Sequence, residues 1–128
     1  MSSYDAPSSQ TKPGKVAALG VLTLISGISN ILAALILTIS VIPVRSGLGV
    51  FCAPVTLLPL VLGVAEIVYA AKLLPNSPKP VNPSRILADL EIGCVLFGNV
   101  IAVIVGVVAR ILYRDEDVKK YFAFLNAP

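Results

Sequence analysis

Hydrophobic positions along this chain are collected into long runs that contain few charged residues. The first run, residues 16–44, holds 29 consecutive residues without a charged side chain. A helix needs about 20 apolar residues to cross the hydrocarbon core of a bilayer. Two further runs follow, over residues 53–74 and 85–113. The pattern predicts three transmembrane helices, over about 15–43, 53–74 and 85–113.

The segments outside these runs differ from them in composition. Residues 1–14 are rich in Ser, Pro and Gly and predict a flexible polar tail. Residues 75–84 hold four prolines and predict a stiff linker. Residues 115–128 begin with three acids and continue with an apolar face at helical spacing, which predicts a short amphipathic helix at the membrane surface. The predicted fold is therefore an all-α integral membrane protein, with a three-helix transmembrane domain over 15–114 and an interfacial C-terminal helix and tail.

Two stripes of small or weakly polar residues, spaced by four positions, are candidates for helix packing. They are Ser26, Asn30 and Ala34 in the first run and Gly98, Ala102 and Gly106 in the third. Small residues let helices approach closely in lipid, where the hydrophobic effect does not drive association. Three thin helices with such stripes predict further packing into a homo-oligomer or a larger membrane complex.

Four polar residues lie deep inside the apolar runs: Asn30, Glu66, Glu91 and Asn99. A charge at the bilayer centre costs about 2.5–3.5 kcal/mol on insertion scales, so such groups face protein or water. Glu66 and Glu91 lie at similar depth, because the linker joins the two helix ends nearest to them. We expect the two carboxyls to face each other and to form an ion or proton site with the asparagines. The alternative is that all four are neutral and hydrogen-bonded in a structural role.

Composition narrows the chemistry further. The chain has no His, and only 13% of its residues are charged, against about 25% in soluble domains. We find no catalytic motif, metal-ligand set or cofactor motif, so we expect no enzyme activity, no metal and no cofactor. The ten basic residues sit at the ends of apolar runs, where they reach lipid headgroups. The bilayer is thus an expected partner, and nucleic acid is not.

These observations predict a structural or accessory membrane protein that packs through its Gly/Ala-rich faces. The alternative is an ion- or proton-conducting oligomer, or a pore former similar in layout to holins, that uses Glu66 and Glu91. The predicted location is the plasma or inner membrane. Three spans would leave five basic residues on each side of the membrane. Only the flanks of the first run differ, with two basic residues before it and one after it, and this difference orients the N-terminus inside.

Overall fold

The computed structural model describes residues 11–41, 48–76 and 79–128, without the side chains of residue 41 and residues 48–55. Every regular element in these ranges is helical. In chain order they are α1 (Gly14–Val41), α2 (Leu48–Leu73), α3 (Arg85–Gly93), a 3-10 turn (Cys94–Phe97), α4 (Val100–Leu112) and α5 (Glu116–Leu125). The predicted tail up to residue 10 and the predicted end of the first helix beyond residue 41 lie outside the described residues.

Helices α1 and α2 form a closely packed antiparallel pair. They approach most closely at two glycines: a Cβ atom on Gly27 would lie 2.8 Å from the backbone oxygen of Gly63, and one on Gly63 would lie 2.6 Å from that of Gly27. By length and composition, two helical segments could cross a membrane, Gly14–Ser40 and Thr56–Leu73. The pair therefore contains the two longest helices of the described fold.

The third apolar run is not the continuous helix that we predicted over 85–113. It folds back on itself as a hairpin of α3 and α4, and Arg110 pairs with Asp89 across the hairpin at 3.1 Å. The helix breaks at Gly98, whose φ of 69° is the left-handed conformation that glycine adopts without strain. Asn99 then caps α4 by accepting a hydrogen bond from the Ala102 amide at 3.3 Å. The 13 residues of α4 extend about 20 Å, too short for a roughly 30 Å hydrocarbon core.

The hairpin changes where the chain ends lie. Lys15, in the first turn of α1, contacts Asp115, which follows α4, at 2.6 Å. Tyr113, at the end of α4, donates a hydrogen bond to Tyr69, near the end of α2, at 3.0 Å. The start of α1, the end of α2 and the end of α4 therefore meet at one end of the bundle. Three straight spans would have placed the first and the last of these at opposite ends.

Helix α5 forms as predicted from its acidic first turn, and Asp115 caps it by accepting from the Asp117 amide at 3.1 Å. Its apolar face, however, packs on protein. Val118, Tyr121 and Phe122 are buried in one cluster with Val16 and Leu19 of α1. The expectation of a helix resting on lipid is therefore corrected. Amphipathicity gives a helix an apolar face but does not say what covers it. Here the cluster at the end of the bundle covers that face.

Candidate functional site

The four polar residues singled out in the sequence come together in the interior of the bundle. With three neighbours they form a group that we call the polar cluster. Its members are Ser26, Ser29, Asn30, Glu66, Glu91, Cys94 and Asn99. The cluster joins α1, α2, the α3–α4 hairpin and the break within that hairpin, and none of its seven members is basic.

Asn30 is the centre of the polar cluster. Its Nδ2 donates to Glu66 Oε2 at 2.9 Å, while its Oδ1 accepts from Asn99 Nδ2 at 2.7 Å and from Cys94 Sγ at 3.5 Å. Ser26 Oγ donates to the other carboxyl oxygen of Glu66 at 3.3 Å. Both oxygens of Glu66 therefore accept hydrogen bonds from α1, which is why this side chain can be fully buried.

Asn99 connects the hairpin to α1 through hydrogen bonds. Its Oδ1 accepts from Ser29 Oγ at 2.9 Å as well as from the first turn of α4, and its Nδ2 donates to Asn30. One side chain therefore caps a helix and fastens the tip of the hairpin. At the break itself, the amides of Gly98, Asn99 and Val100 donate to the backbone oxygens of Val95, Cys94 and Gly98.

Glu91 has fewer partners than Glu66. It is only 1% exposed, and its carboxyl lies close enough to that of Glu66 for the two to interact directly. Its Oε1 has no hydrogen-bond partner among the residues that the structure describes. Two carboxylates at such proximity, without a cation, repel strongly in a low-dielectric interior. A proton on one of them removes that repulsion and provides a donor for the other.

The chemistry open to this arrangement is limited. Across the described ranges, no group of three or more His, Cys, Asp and Glu side chains could hold a metal ion. The Cys94 thiol hydrogen-bonds an amide oxygen, and this gives it no base to activate it as a nucleophile. What the polar cluster can do is hold a proton between two carboxyls and hold four helical segments together.

The residues predicted for helix packing are mostly used inside the single chain. Ser26, Asn30, Ala34 and Ala102 are buried, and a Cβ on Gly106 would lie 2.7 Å from the backbone oxygen of Ala88. Gly98 is the exception, because a Cβ there would meet nothing within 4 Å. Gly98 matters because it makes the turn between the two helices, and not because it makes a packing contact.

Sequence reasoning did not assign three members of the polar cluster to the site. Ser26 was predicted only for helix packing, Ser29 and Cys94 were not predicted as site residues, and the approach of Gly27 to Gly63 was not anticipated. The signal for Ser29 was present, since Ser26, Ser29 and Asn30 lie at steps of three and four on one helix face. The contact of Cys94 with Asn30 could not be predicted, because it depends on the break that follows Cys94.

Comparisons of the chain with protein-family models, with curated proteins and with solved structures gave no match. The polar cluster and the fold are therefore the basis on which a function is proposed.

Proposed function

We propose that this chain is a small integral membrane protein in which α1 and α2 span the bilayer. In this arrangement the α3–α4 hairpin enters the membrane from one side and returns to it. The lengths of the helices support the proposal, and so do the apolar side chains that remain exposed on them. On α1 alone, Ile36 is 65% and Ile39 is 69% exposed. Irregular backbone at membrane depth needs its polar groups satisfied, and here the Gly98, Asn99 and Val100 amides donate to backbone oxygens within the break.

The distribution of basic residues supports one orientation. Because the hairpin returns to its starting side, nine of the ten basic residues fall at the end of the bundle that holds the start of α1, and only Arg45 falls in the connection between α1 and α2. Cytoplasmic segments carry the excess of Lys and Arg in membrane proteins. We therefore place the N-terminal end of α1 and helix α5 on the cytoplasmic side.

The function that this geometry supports best is a structural or accessory one without catalysis. The observation that carries it is the closed hydrogen bonding of Asn30, which joins Glu66 to Asn99. Both glutamates are buried, with exposures of 0% and 1%, and their neighbours are protein side chains. A buried polar group that is hydrogen-bonded between helices in this way holds them in register. Because the small faces are used internally, a second copy or another membrane subunit would pack on the exposed Leu, Ile and Val faces.

Two measurements test the accessory role together. The mass of the particle in mild detergent distinguishes a single chain from a homo-oligomer or a larger complex. Proton flux into proteoliposomes measures transport directly. We expect co-purifying subunits or a defined oligomer, and a flux equal to that of empty liposomes. A monomer that conducts protons would overturn this function.

Glu91 Oε1, which has no partner among the described residues, favours a second candidate, a proton-binding site used for conduction. In that case the Glu66–Glu91 pair would release and take up its shared proton as part of a path. Glu91→Gln should then abolish proton flux while the fold is retained, because glutamine mimics the protonated acid. Asp89→Asn, an exposed acid on the same helix, is the matched control and should leave flux unchanged.

A further inference from the structure

Two neighbouring hollows lie between α2 and α3, and we call them together the cleft. Its upper part has a volume of about 500 Å³ and is lined by Tyr69 and Lys72 of α2 and by the segment from Pro80 to Ile86. Its lower part has a volume of about 390 Å³ and is almost wholly apolar, with Leu62, Leu90 and Phe97 among its lining residues.

The two parts follow the same faces of the same helices. On α2, Ala65 lines the lower part, and Tyr69, one turn further on, lines the upper part. On α3, Leu90 and Ile86 are related in the same way. From Ile86 to Gly93, α3 rises about 10 Å at 1.5 Å per residue, and the 3-10 turn to Phe97 adds about 8 Å at 2.0 Å per residue. Half of a hydrocarbon core of about 30 Å is nearly the same length, so the cleft covers one leaflet.

Two cations line the upper part of the cleft without a carboxylate partner. Neither Lys72 nor Arg85 forms an ion pair within the part of the chain that the structure describes. From the sequence, Arg85 and Asp89 are expected to pair at a spacing of four residues. In the structure Asp89 pairs instead with Arg110 across the hairpin, and Arg85 is left beside the cleft. The cleft therefore has a cationic mouth above an apolar channel.

We propose that the cleft between α2 and α3 binds one anionic phospholipid. Its phosphate lies between Lys72 and Arg85, and one acyl chain runs down the apolar part beside Leu90 and Gly93. Basic pockets between membrane helices bind anionic headgroups, and the apolar lining matches a chain that would otherwise contact other lipid. This inference rests on the proposed membrane placement, with the mouth of the cleft at the cytoplasmic headgroup level.

Gly93 keeps the channel open. It lines the lower part of the cleft, and a Cβ placed on it would meet nothing within 4 Å. Its φ of −61° is helical, so any side chain fits the backbone there. A side chain at this position therefore begins in open space beside the channel, and we expect leucine there to occupy the channel.

The test is thermal unfolding of the full chain in mild detergent with added lipid. Phosphatidylglycerol should raise the unfolding midpoint, whereas phosphatidylcholine with the same acyl chains should raise it by less than half as much. Inorganic phosphate at equal concentration should give no shift. An equal effect of the two lipids, or a full effect of inorganic phosphate, would overturn the proposal of an anionic lipid site.

Variants assign the effect to the cleft. The double variant Lys72→Gln/Arg85→Gln should lose at least half of the shift caused by phosphatidylglycerol. The control Arg114→Gln/Lys120→Gln removes the same charge from exposed positions outside the cleft and should keep the shift. Without lipid, Gly93→Leu should be as stable as the parent protein or slightly more stable, because leucine is the better helix former, and it should lose the shift. Retention of the shift in both Gly93→Leu and the double cleft variant would refute the site.

A failure here is distinguishable from a failure of the proposed membrane placement. Reporter fusions at the two ends of the chain report the sidedness independently of any bound lipid. If both ends report the cytoplasm and phosphatidylglycerol has no effect, the cleft proposal alone is wrong. If the ends report opposite sides, the placement on which it rests is wrong.

Discussion

Asn99 donates a hydrogen bond to Asn30 at 2.7 Å, although the two residues are 69 positions apart in the chain. Asn30 lies in the middle of α1, and Asn99 lies at the tip of the α3–α4 hairpin. The bond fixes how far the hairpin reaches along α1. It also orients the Asn30 amide so that its Nδ2 points at Glu66. One contact therefore positions both the hairpin and the carboxyl pair.

The coupling between Asn30 and Asn99 is the first prediction. In a double-mutant cycle of Asn30→Ala and Asn99→Ala, we expect an interaction free energy of about 0.6–1.7 kcal/mol, the range for polar contacts between membrane helices. Asn99→Ala also removes the cap of α4, at about 0.5–2 kcal/mol, but the cycle subtracts this cost. Unfolding in mixed micelles measures it, and the exposed pair Ile28→Ala and Val95→Ala is the control. Zero coupling would show that the hydrogen bond does not hold the hairpin.

Glycine substitutions should separate three kinds of position. Gly106→Ala should destabilise the hairpin, because its Cβ would lie 2.7 Å from the backbone oxygen of Ala88, which cannot move aside easily. Gly98→Ala should destabilise it through the strain of a φ of 69°. Gly93→Ala should be neutral or stabilising by up to about 1 kcal/mol, because it has open space and alanine is the better helix former. The unfolding free energies in detergent should therefore be lower for Gly106→Ala and Gly98→Ala than for Gly93→Ala. Equal values for all three variants would contradict this prediction.

The glycines also show where the sequence could and could not predict the fold. The spacing of Gly98, Ala102 and Gly106 is typical of a packing stripe on one helix, and for Ala102 and Gly106 the close contact is present. Gly98 followed by Asn99 is also the signal of a helix end followed by a new cap. Both interpretations fit the amino-acid sequence at Gly98 and Asn99. Only the contact with Asn30, which is remote in sequence, selects the second.

The candidate site was more accessible to sequence reasoning than the topology. Counting residues from the linker predicts similar depths for Glu66 and Glu91, and their carboxyls do interact. That argument holds whether α3 spans the membrane or turns back, because it uses only the first turns of the helix. By contrast, the partner of the α5 apolar face could not be predicted, since a hydrophobic face specifies burial and not what provides it.

Sidedness is the third prediction, and it separates the hairpin from three spans. A fluorescent protein that folds only in the cytoplasm, fused before residue 1 or after residue 128, should be fluorescent in both cases. A periplasmic phosphatase fused at the same points should be inactive in both. A third fusion in the connection between α1 and α2 should give the reverse pattern and serves as the control. Opposite signals from the two ends would establish an odd number of spans.

The docking of α5 gives the fourth prediction. Phe122 is 3% exposed, and its ring lies 6.1 Å from that of Tyr113. Phe122→Ala should lower the free energy of unfolding by about 3–5 kcal/mol, as for other buried aromatic truncations. Phe124→Ala, at a partly exposed position of the same helix, is the control and should cost less. If Phe122→Ala changed only membrane binding and left stability intact, the helix would lie on lipid as the sequence alone predicts.

The ion pair between Lys15 and Asp115 gives the last prediction, which concerns pH. Lys15, at 2.6 Å, lowers the pKa of the Asp115 carboxyl below its usual value, mainly through their hydrogen bond. A carboxyl with a lowered pKa in the folded state stabilises the fold above its usual pKa of about 3.9, and this contribution is lost as the pH falls through the lower, folded-state value.

Asp115→Asn should therefore leave the protein less stable at neutral pH and should flatten the loss of stability below about pH 4. The amide oxygen of the variant can still accept from Asp117, so the cap of α5 is kept and the charge alone is removed. The effect should be small and should shrink in high salt, because both side chains are partly exposed and Lys15 keeps a second contact with Asp117 at 3.2 Å.

Two control variants assign the effect to this ion pair. Lys15→Gln should flatten the same acid limb, which is the loss of stability at low pH, whereas Glu116→Gln, whose partner Lys119 lies within α5, should not. Unfolding midpoints measured from pH 7 downward test this, and an acid limb equally steep in the parent and in Asp115→Asn would mean that the pair does not tie α1 to α5.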